Sequence, residues 1–399
     1  MLVQEIIKDI KTPFYLYDFD AIKERFLSIK NSLNGVSSNI FYAVKANSNL
    51  SLLKFLKELD SGFDCVSVNE IKRALLIGAK PYKIIFSGVA KSKEDLEFAL
   101  QEKILYINIE NQAELDLLEE CAKNLNTVAN ISIRVNPNVD AKTHPYISTG
   151  LKENKFGVSL DVARKMYLKA HKSEYLNPIA CHFHIGSNLL DLSPIIQSAK
   201  IIKDFVTSLN SAGLNIRFFD IGGGIGVSYL KDEIEPNIKD FFNQIKAIAK
   251  DYTICTEPGR YIVANAGYLV TKVLYEKINE NKRFVIVDAA MSELIRPSLY
   301  NAKHEIICFK DDLANSSKAD VVGGVCESGD FLAKDVVLPS LNSQDYLIVK
   351  SAGAYGYVMS SNYNSRTKIA EYAIINGKIK LINKAEDFMQ MIKGEVECL

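Results

Sequence analysis

The sequence predicts an α/β fold, an N-terminal (β/α)8 TIM barrel followed by a mostly β C-terminal domain of barrel or sandwich type. Three observations carry this. Up to about Gly259, eight short β-rich runs alternate with stretches of helical spacing, the pattern of parallel βαβ units. Beyond it the β-rich runs follow one another with few long helical patterns between them. The 399 residues also suffice for a barrel of about 250 residues and a smaller partner. A doubly wound sheet is the competing arrangement.

The eight runs are Ile40–Val44, Phe63–Ser67, Ile84–Ser87, Leu105–Ile109, Ile131–Asn136, Ile179–Ile185, Phe218–Ile221 and Thr253–Thr256. Between them, Leu50–Leu59, Asn69–Ile77, Lys93–Gln101, Gln112–Leu125, Leu160–His171, Ile195–Leu209 and Ile238–Lys250 carry apolar residues at helical intervals. The later strands are Tyr268–Tyr275, Phe284–Val287, Val321–Val325, Tyr346–Val349 and Ala373–Ile375. Asn376-Gly377, between AEYAII and KIKLI, suits the positive φ angles of a type I′ hairpin. TPFYLYD near the N-terminus reads as one more strand. The expected division is a barrel over 16–259 and a β domain over 260–399, joined by an N-terminal strand from about 1–15.

Apolar residues make up 48% of the chain and charged residues 24%, so a disordered chain is excluded. Lys+Arg and Asp+Glu both number 48, which gives no electrostatic case for nucleic acid or an anionic membrane. No run approaches the roughly 18 apolar residues of a membrane span, and the N-terminus does not read as a signal peptide. The seven cysteines are scattered and odd in number, without a C-x-x-C pair, which disfavours disulfides and zinc knuckles. A reduced, cytoplasmic protein is expected.

A barrel presents its chemistry at the C-terminal strand ends. Lys45, in FYAVKAN after the first strand, is either an ordinary solvated lysine or, pressed toward low dielectric, an amine nucleophile with a Schiff-base role. HFHIGSNL (182–189) offers His184 and Ser187 after strand six. DIGGGIG (220–226) offers Gly222, Gly223 and Gly224 after strand seven, and EPGR (257–260) offers Gly259 and Arg260 after strand eight. Glycine runs let backbone amides approach an anion, so three such ends in succession point to a phosphate, although the glycines could simply serve tight turns. A reactive lysine beside a phosphate cradle suggests pyridoxal phosphate, with Glu257 at its ring nitrogen and His184 against its ring face. His182 and His184 could instead be core histidines. As an H-x-H pair they could also ligate a metal, but no third ligand lies near in sequence, so no metal is expected.

In the second half, Arg296 and Tyr300 of IRPSLYNAKH suit a substrate carboxylate. CESGDFLAKD combines Cys326, Glu327 and Asp330; Cys326 is either a buried small hydrophobe or a proton donor. GAYGYVMSSNYN (353–364), with Tyr355 and Tyr363, reads as a binding loop, unless the tyrosines are aromatic filler.

FYAVKAN, HFHIGSNL, DIGGGIG, EPGR, RPSLY, CESGD and GAYGYVMSSNYN, in this order, resemble the diaminopimelate decarboxylase family, within the alanine racemase-like class of pyridoxal phosphate enzymes. The likeness runs from about residue 12 to about 375. YAVKAN, HIGS and EPGR are shared with ornithine, arginine and carboxynorspermidine decarboxylases, the nearest alternatives; RPSLY and CESGD discriminate. Ornithine decarboxylases carry an aspartate where this chain has Glu327.

The resemblance implies decarboxylation of meso-diaminopimelate to L-lysine and CO2 by a head-to-tail homodimer with shared sites. Lys45 would tether the cofactor. Ser187, Gly222, Gly223, Gly224, Gly259 and Tyr355 would hold its phosphate, with Glu257 at the pyridine nitrogen and His184 on the ring. Arg260, Arg296 and Tyr300 would bind the distal carboxylate, Glu327 its ammonium, and Cys326 of the partner subunit would be the general acid. A racemase wants a base on each cofactor face and no distal recognition, and a mere cofactor carrier has no use for a distal clamp.

Overall fold

Strand-forming runs at regular spacing close on themselves when each is followed by a helix that covers its outer side. The computed structural model describes residues 7, 9–140, 155–310 and 316–399. Strand β1 (Phe14–Asp18) leads into helix α1 (Phe19–Ser32). Eight parallel strands then form a closed barrel: β2 (Ser38–Ala43), β3 (Gly62–Cys65), β4 (Ile84–Phe86), β5 (Tyr106–Ile109), β6 (Ala129–Arg134), β7 (Leu176–His182), β8 (Phe218–Asp220) and β9 (Thr253–Thr256). The pairing of Ser38 with Ile254 and of Ile40 with Thr256 seals the ring. All eight predicted strands are present, and the doubly wound alternative falls away.

Phe41, Ile85, Tyr106, Ile179, Ala180 and Cys255 pack as one buried cluster. The seven intervening helices are α2 (Leu50–Glu58), α3 (Val68–Leu76), α4 (Lys93–Gln101), α5 (Gln112–Asn124), α6 (Leu160–Lys172), α7 (Ser193–Ser211) and α8 (Ile238–Ala249). Six of them open on an Asn or Ser cap (Asn49, Ser67, Ser92, Asn111, Ser159, Asn237) that accepts from a first-turn amide. Such caps satisfy otherwise unpaired donors and fix the βα turns, the face where the chemistry sits.

The chain divides into two compact units. One is Lys23–Val227 with Ile234–Tyr261, which holds the barrel; the other is the described part of Met1–Ile22, Ser228–Glu233 and Ile262–Leu399. The short helix α9 (Arg260–Val263) spans the chain boundary between the units, and the second unit is built on a nine-stranded sheet. Its strands are β1, β10 (Gly267–Asn279), β11 (Lys282–Val287), β12 (Ile306–Cys308), β13 (Ser317–Val322), β14 (Phe331–Leu338), β15 (Tyr346–Val349), β16 (Ala370–Ile375) and β17 (Lys378–Asn383). The five-residue helix α10 (Arg296–Tyr300) interrupts them and α11 (Phe388–Val396) follows. β1 lies between β10 and β16, antiparallel to the first and parallel to the second. Phe14, Leu16, Val270 and Ile348 form the core at this crossing with Ile7.

The hairpin at Asn376-Gly377 has φ of 50° and 71°, as its sequence requires. The strand expected to reach Val325 stops at Val322. A Cβ on Gly323 would lie 2.5 Å from Ala290 Cα, and the Val325 amide donates to Asp330 instead of a ladder. Among the described residues no helix is long and apolar enough to cross a membrane.

Candidate active site

At the end of β2 the chain turns through a single 3₁₀ turn, Val44–Ala46, which carries Lys45 out of the barrel wall. The Tyr42 hydroxyl donates to the Asn47 carbonyl at 3.0 Å, and Asn47 Oδ1 accepts from the Asn49 amide at 3.1 Å, so the turn is braced on both sides. Lys45 Nζ lies 3.5 Å from Oδ2 of Asp64, a fully buried carboxylate at the end of β3. The other Asp64 oxygen accepts from Ser87 Oγ at 2.7 Å, itself held by Asn108 Nδ2 at 2.9 Å. Burial pushes the Glu70 carboxyl nearby up to about 7.

Glu257 follows β9 directly and is buried. Its amide donates to the Gly222 carbonyl at 2.7 Å, one carboxylate oxygen lies 3.3 Å from His182 Nε2, and Oε1 has no hydrogen-bond partner among the described residues. Asp220 sits beside it at the end of β8, accepting from the Tyr106 hydroxyl at 2.7 Å and the Gly222 amide at 2.9 Å. Burial, then the charge of Glu257 at Asp220 and of Asp64 at Glu257, raises both acids to about 8. Burial lowers His182 to about 4, so its ring is neutral.

His182, Asp220 and Glu257 place ligand atoms within 4.8 Å of one another. The barrel therefore supplies the carboxylates that the sequence did not bring near the H-x-H pair, while His184 turns elsewhere. His184 Nδ1 accepts from the Gly223 amide at 3.2 Å, which leaves the proton on Nε2. Desolvation, then the charges of Arg134 and Lys45, holds this imidazole neutral. Arg134 also donates to the His184 carbonyl at 3.3 Å while paired with Glu110 at 2.9 Å.

The glycine loop is zipped to the loop after β7. The Leu189 amide donates to the Gly224 carbonyl and the Gly226 amide to the Leu189 carbonyl, both at 2.9 Å. Gly222 and Gly224 take φ of +64° and +98°, and a Cβ on Gly223 would lie 2.3 Å from the Glu257 carbonyl oxygen. No other residue fits there. Arg260 Nη2 donates to Ser187 Oγ at 3.1 Å, and Gly259 packs against Ala43 and Ala46. Ser187, the three glycines, Gly259 and Arg260 thus converge from the loops after β7, β8 and β9.

The remaining candidates lie in the second unit. Arg296 is buried in α10, its guanidinium carbon 6.0 Å from the Tyr300 ring centre. Ser298 Oγ in the same helix donates to the Gly329 carbonyl at 2.5 Å, which ties CESGD to this helix. Asp330 braces that loop through the amides of Met291 and Val325, both at 2.7 Å, and so has a structural task. Cys326 and Glu327 are exposed, so the buried-hydrophobe reading of Cys326 is corrected. The Cys326 amide donates to Asn364 Oδ1 at 2.8 Å, and Tyr363 is exposed, which argues against Tyr363 as core filler. Tyr355 is half-buried at a φ of +56°.

Residues 19–264 match the family described as pyridoxal-dependent decarboxylase, pyridoxal binding domain. A diaminopimelate decarboxylase of Campylobacter jejuni is 57% identical over 99% of both chains, and one of Helicobacter pylori is 51% identical over 99% of this chain and 98% of its own. The crystal structure of the Helicobacter pylori enzyme complexed with L-lysine superposes with a TM-score of 0.96, at 51% identity over 100% of both chains. The chain belongs to the diaminopimelate decarboxylase family.

Membership of this family of pyridoxal-dependent enzymes implies pyridoxal phosphate as the cofactor. It also frames what sequence reasoning missed. Asp64, Tyr106, Arg134 and Asp220 each occupy a barrel strand and join the site by hydrogen bond or ion pair. For Asp64, Arg134 and Asp220, a charged residue inside an otherwise apolar strand run was the available signal. His304, beside Arg296, was also passed over.

Proposed function

We infer that the chain decarboxylates meso-diaminopimelate, giving L-lysine and CO2 with pyridoxal phosphate as cofactor. One observation carries the reading: a lysine amine, a glycine-lined anion cradle and a buried carboxylate with an unpartnered oxygen meet at one end of one barrel. These residues fit the cofactor. A cradle that a Cβ would fill suits a phosphate, and the lone Glu257 Oε1 suits a protonated ring nitrogen.

Lys45 would hold the aldehyde carbon covalently. Ser187, Gly222, Gly223, Gly224, Gly259 and Tyr355 would hold the phosphate with Arg260 behind Ser187, and His184 would support the ring. When bound, the group supplies an electron sink for the pair released from the broken C–CO2 bond. Asp64 compensates the charge of the Lys45 ammonium when the substrate amine takes its place. Arg260, Arg296 and Tyr300 bind the distal carboxylate, Glu327 accepts the distal ammonium, and the Cys326 thiol donates a proton to the reacting carbon.

Cys326 and Glu327 stand exposed on their own chain, which supports a head-to-tail homodimer in which Cys326 of the partner subunit completes each site. All seven cysteines are free thiols, in keeping with a cytoplasmic enzyme. The test is CO2 release by the loaded enzyme from meso-diaminopimelate, ornithine, arginine and carboxynorspermidine. Turnover of the first alone is expected; preference for another would replace the assignment.

A further inference from the structure

Arg296 is fixed by a neighbour that the reaction itself does not call for. Its Nε donates to His304 Nε2 at 3.4 Å, and His304 Nδ1 lies 2.9 Å from the Lys350 carbonyl oxygen. A carbonyl oxygen only accepts, so Nδ1 carries the proton and Nε2 presents a lone pair. The two contacts therefore define one neutral tautomer, and each explains the other.

The imidazole is itself rigidly held. It is buried, and its ring meets Tyr229 edge-on with centroids 5.2 Å apart. The next residue enters the pairing of β12 with β15: the Lys350 amide donates to the Glu305 carbonyl at 2.9 Å, and Ile306 pairs with Val349. Lys350 Nζ closes on Glu305 at 2.7 Å. The Arg296 guanidinium is in turn stacked 5.1 Å from the centre of the Tyr229 ring. His304 and Tyr229 together fix both the rotation and the tilt of its plane.

We propose that His304 is a positioning residue that orients the Arg296 fork and so sets the enzyme's selectivity for substrates with a distal carboxylate. The inference rests on the reading of Arg296 as the group that binds that carboxylate. Committing Nε to the protein means that a carboxylate is met by the edge of the two terminal nitrogens. A bidentate pair depends on the orientation of that edge, whereas a point charge would not.

The test uses loaded enzyme with meso-diaminopimelate and the variants His304→Ala, His304→Phe, His304→Gln and Arg296→Lys. Losing a hydrogen bond to a charged group predicts a rise in KM of about tenfold in His304→Ala and His304→Phe, with kcat within about twofold of wild type. His304→Gln should recover most of the loss, because one amide can donate to Lys350 and accept from Arg296. His304→Ala should add almost nothing on top of Arg296→Lys, as expected of residues acting as a unit.

If Arg296→Lys raises KM while both His304→Ala and His304→Phe keep the wild-type value, the positioning role is wrong and the Arg296 assignment stands. If Arg296→Lys itself leaves KM unchanged, that assignment fails and takes this inference with it. Equal losses in His304→Gln and His304→Phe would show that ring shape alone matters and would also overturn the proposal. Should His304→Ala fail to fold, the comparison of His304→Gln with His304→Phe decides.

Discussion

His182 Nε2 lies 3.3 Å from Glu257 Oε2, so a neutral imidazole steadies one carboxylate oxygen while the other stands without a partner among the described residues. Burial first, then the Asp64 charge at Glu257 and the Glu257 charge at neighbouring Asp220, raises both acids to about 8. In the cofactor-free protein this arrangement stores a cost of burial.

The cost makes a prediction about stability. Unfolded, these carboxyls ionise near their ordinary values of about 4; folded, they keep their protons to about 8. Across that window the folded state binds more protons, so their contribution falls as pH rises. His182 works in the opposite sense, its contribution rising from about 4 to about 6.5. Cofactor-free Glu257→Gln should therefore unfold at a higher temperature than wild type near pH 9, and lose that advantage near pH 5. The scale is about 1.4 kcal/mol for each pH unit by which the pKa is displaced. Melting curves that stay parallel across the range would contradict the strained-pair account.

Gly223 offers a sharper test of the cradle. A Cβ there would meet the Glu257 carbonyl oxygen at 2.3 Å, and neither backbone can withdraw without moving the strand ends. Gly223→Ala should bind pyridoxal phosphate at least about tenfold more weakly, the scale of a lost charge-assisted bond. Titration of the cofactor-free protein by absorbance measures this, and Gly394→Ala, with open space around its Cβ, serves as the control.

Asp64 separates anchoring from turnover. Lys45→Ala should give no cofactor adduct in mass spectra after borohydride trapping. Asp64→Asn should still give the Lys45 adduct, because the amine remains. Its kcat should fall about 10²-fold, the scale expected when a reacting group is misplaced. A wild-type kcat in Asp64→Asn would show that the 3.5 Å contact has no part in turnover.

The barrel was legible because its signal is local: each strand run and each stretch of helical spacing declares its period within a few residues. Lys45, Glu257 and the glycine loop were legible for a related reason, since a strand end followed by a loop is where a barrel puts its chemistry. Asp220 was not. Its partner Tyr106 is 114 positions away, and only barrel closure brings the two hydroxyl and carboxyl groups to 2.7 Å. Asp64 and Arg134 were hidden by their apolar neighbours, which made the runs look like plain core strands. α10 spans five residues, too few to show a period, so its link to His304 had no sequence signature. β1 read as a strand, but nothing local could say that β10 and β16 would flank it.

The shared-site proposal can be tested by mixing two dead enzymes. Cys326→Ala should retain cofactor and lose about 10²- to 10⁴-fold in kcat, the usual contribution of a positioned proton donor. Lys45→Ala loses the anchor in the barrel unit. If each site takes Lys45 from one chain and Cys326 from its partner, a mixed dimer of the two variants contains one site with both residues intact and one with neither. Refolding the variants together should then restore a substantial share of wild-type CO2 release, and diluting each variant alone should restore none. If both residues act within one chain, every site in the mixture lacks one of them and activity stays at the level of the parents.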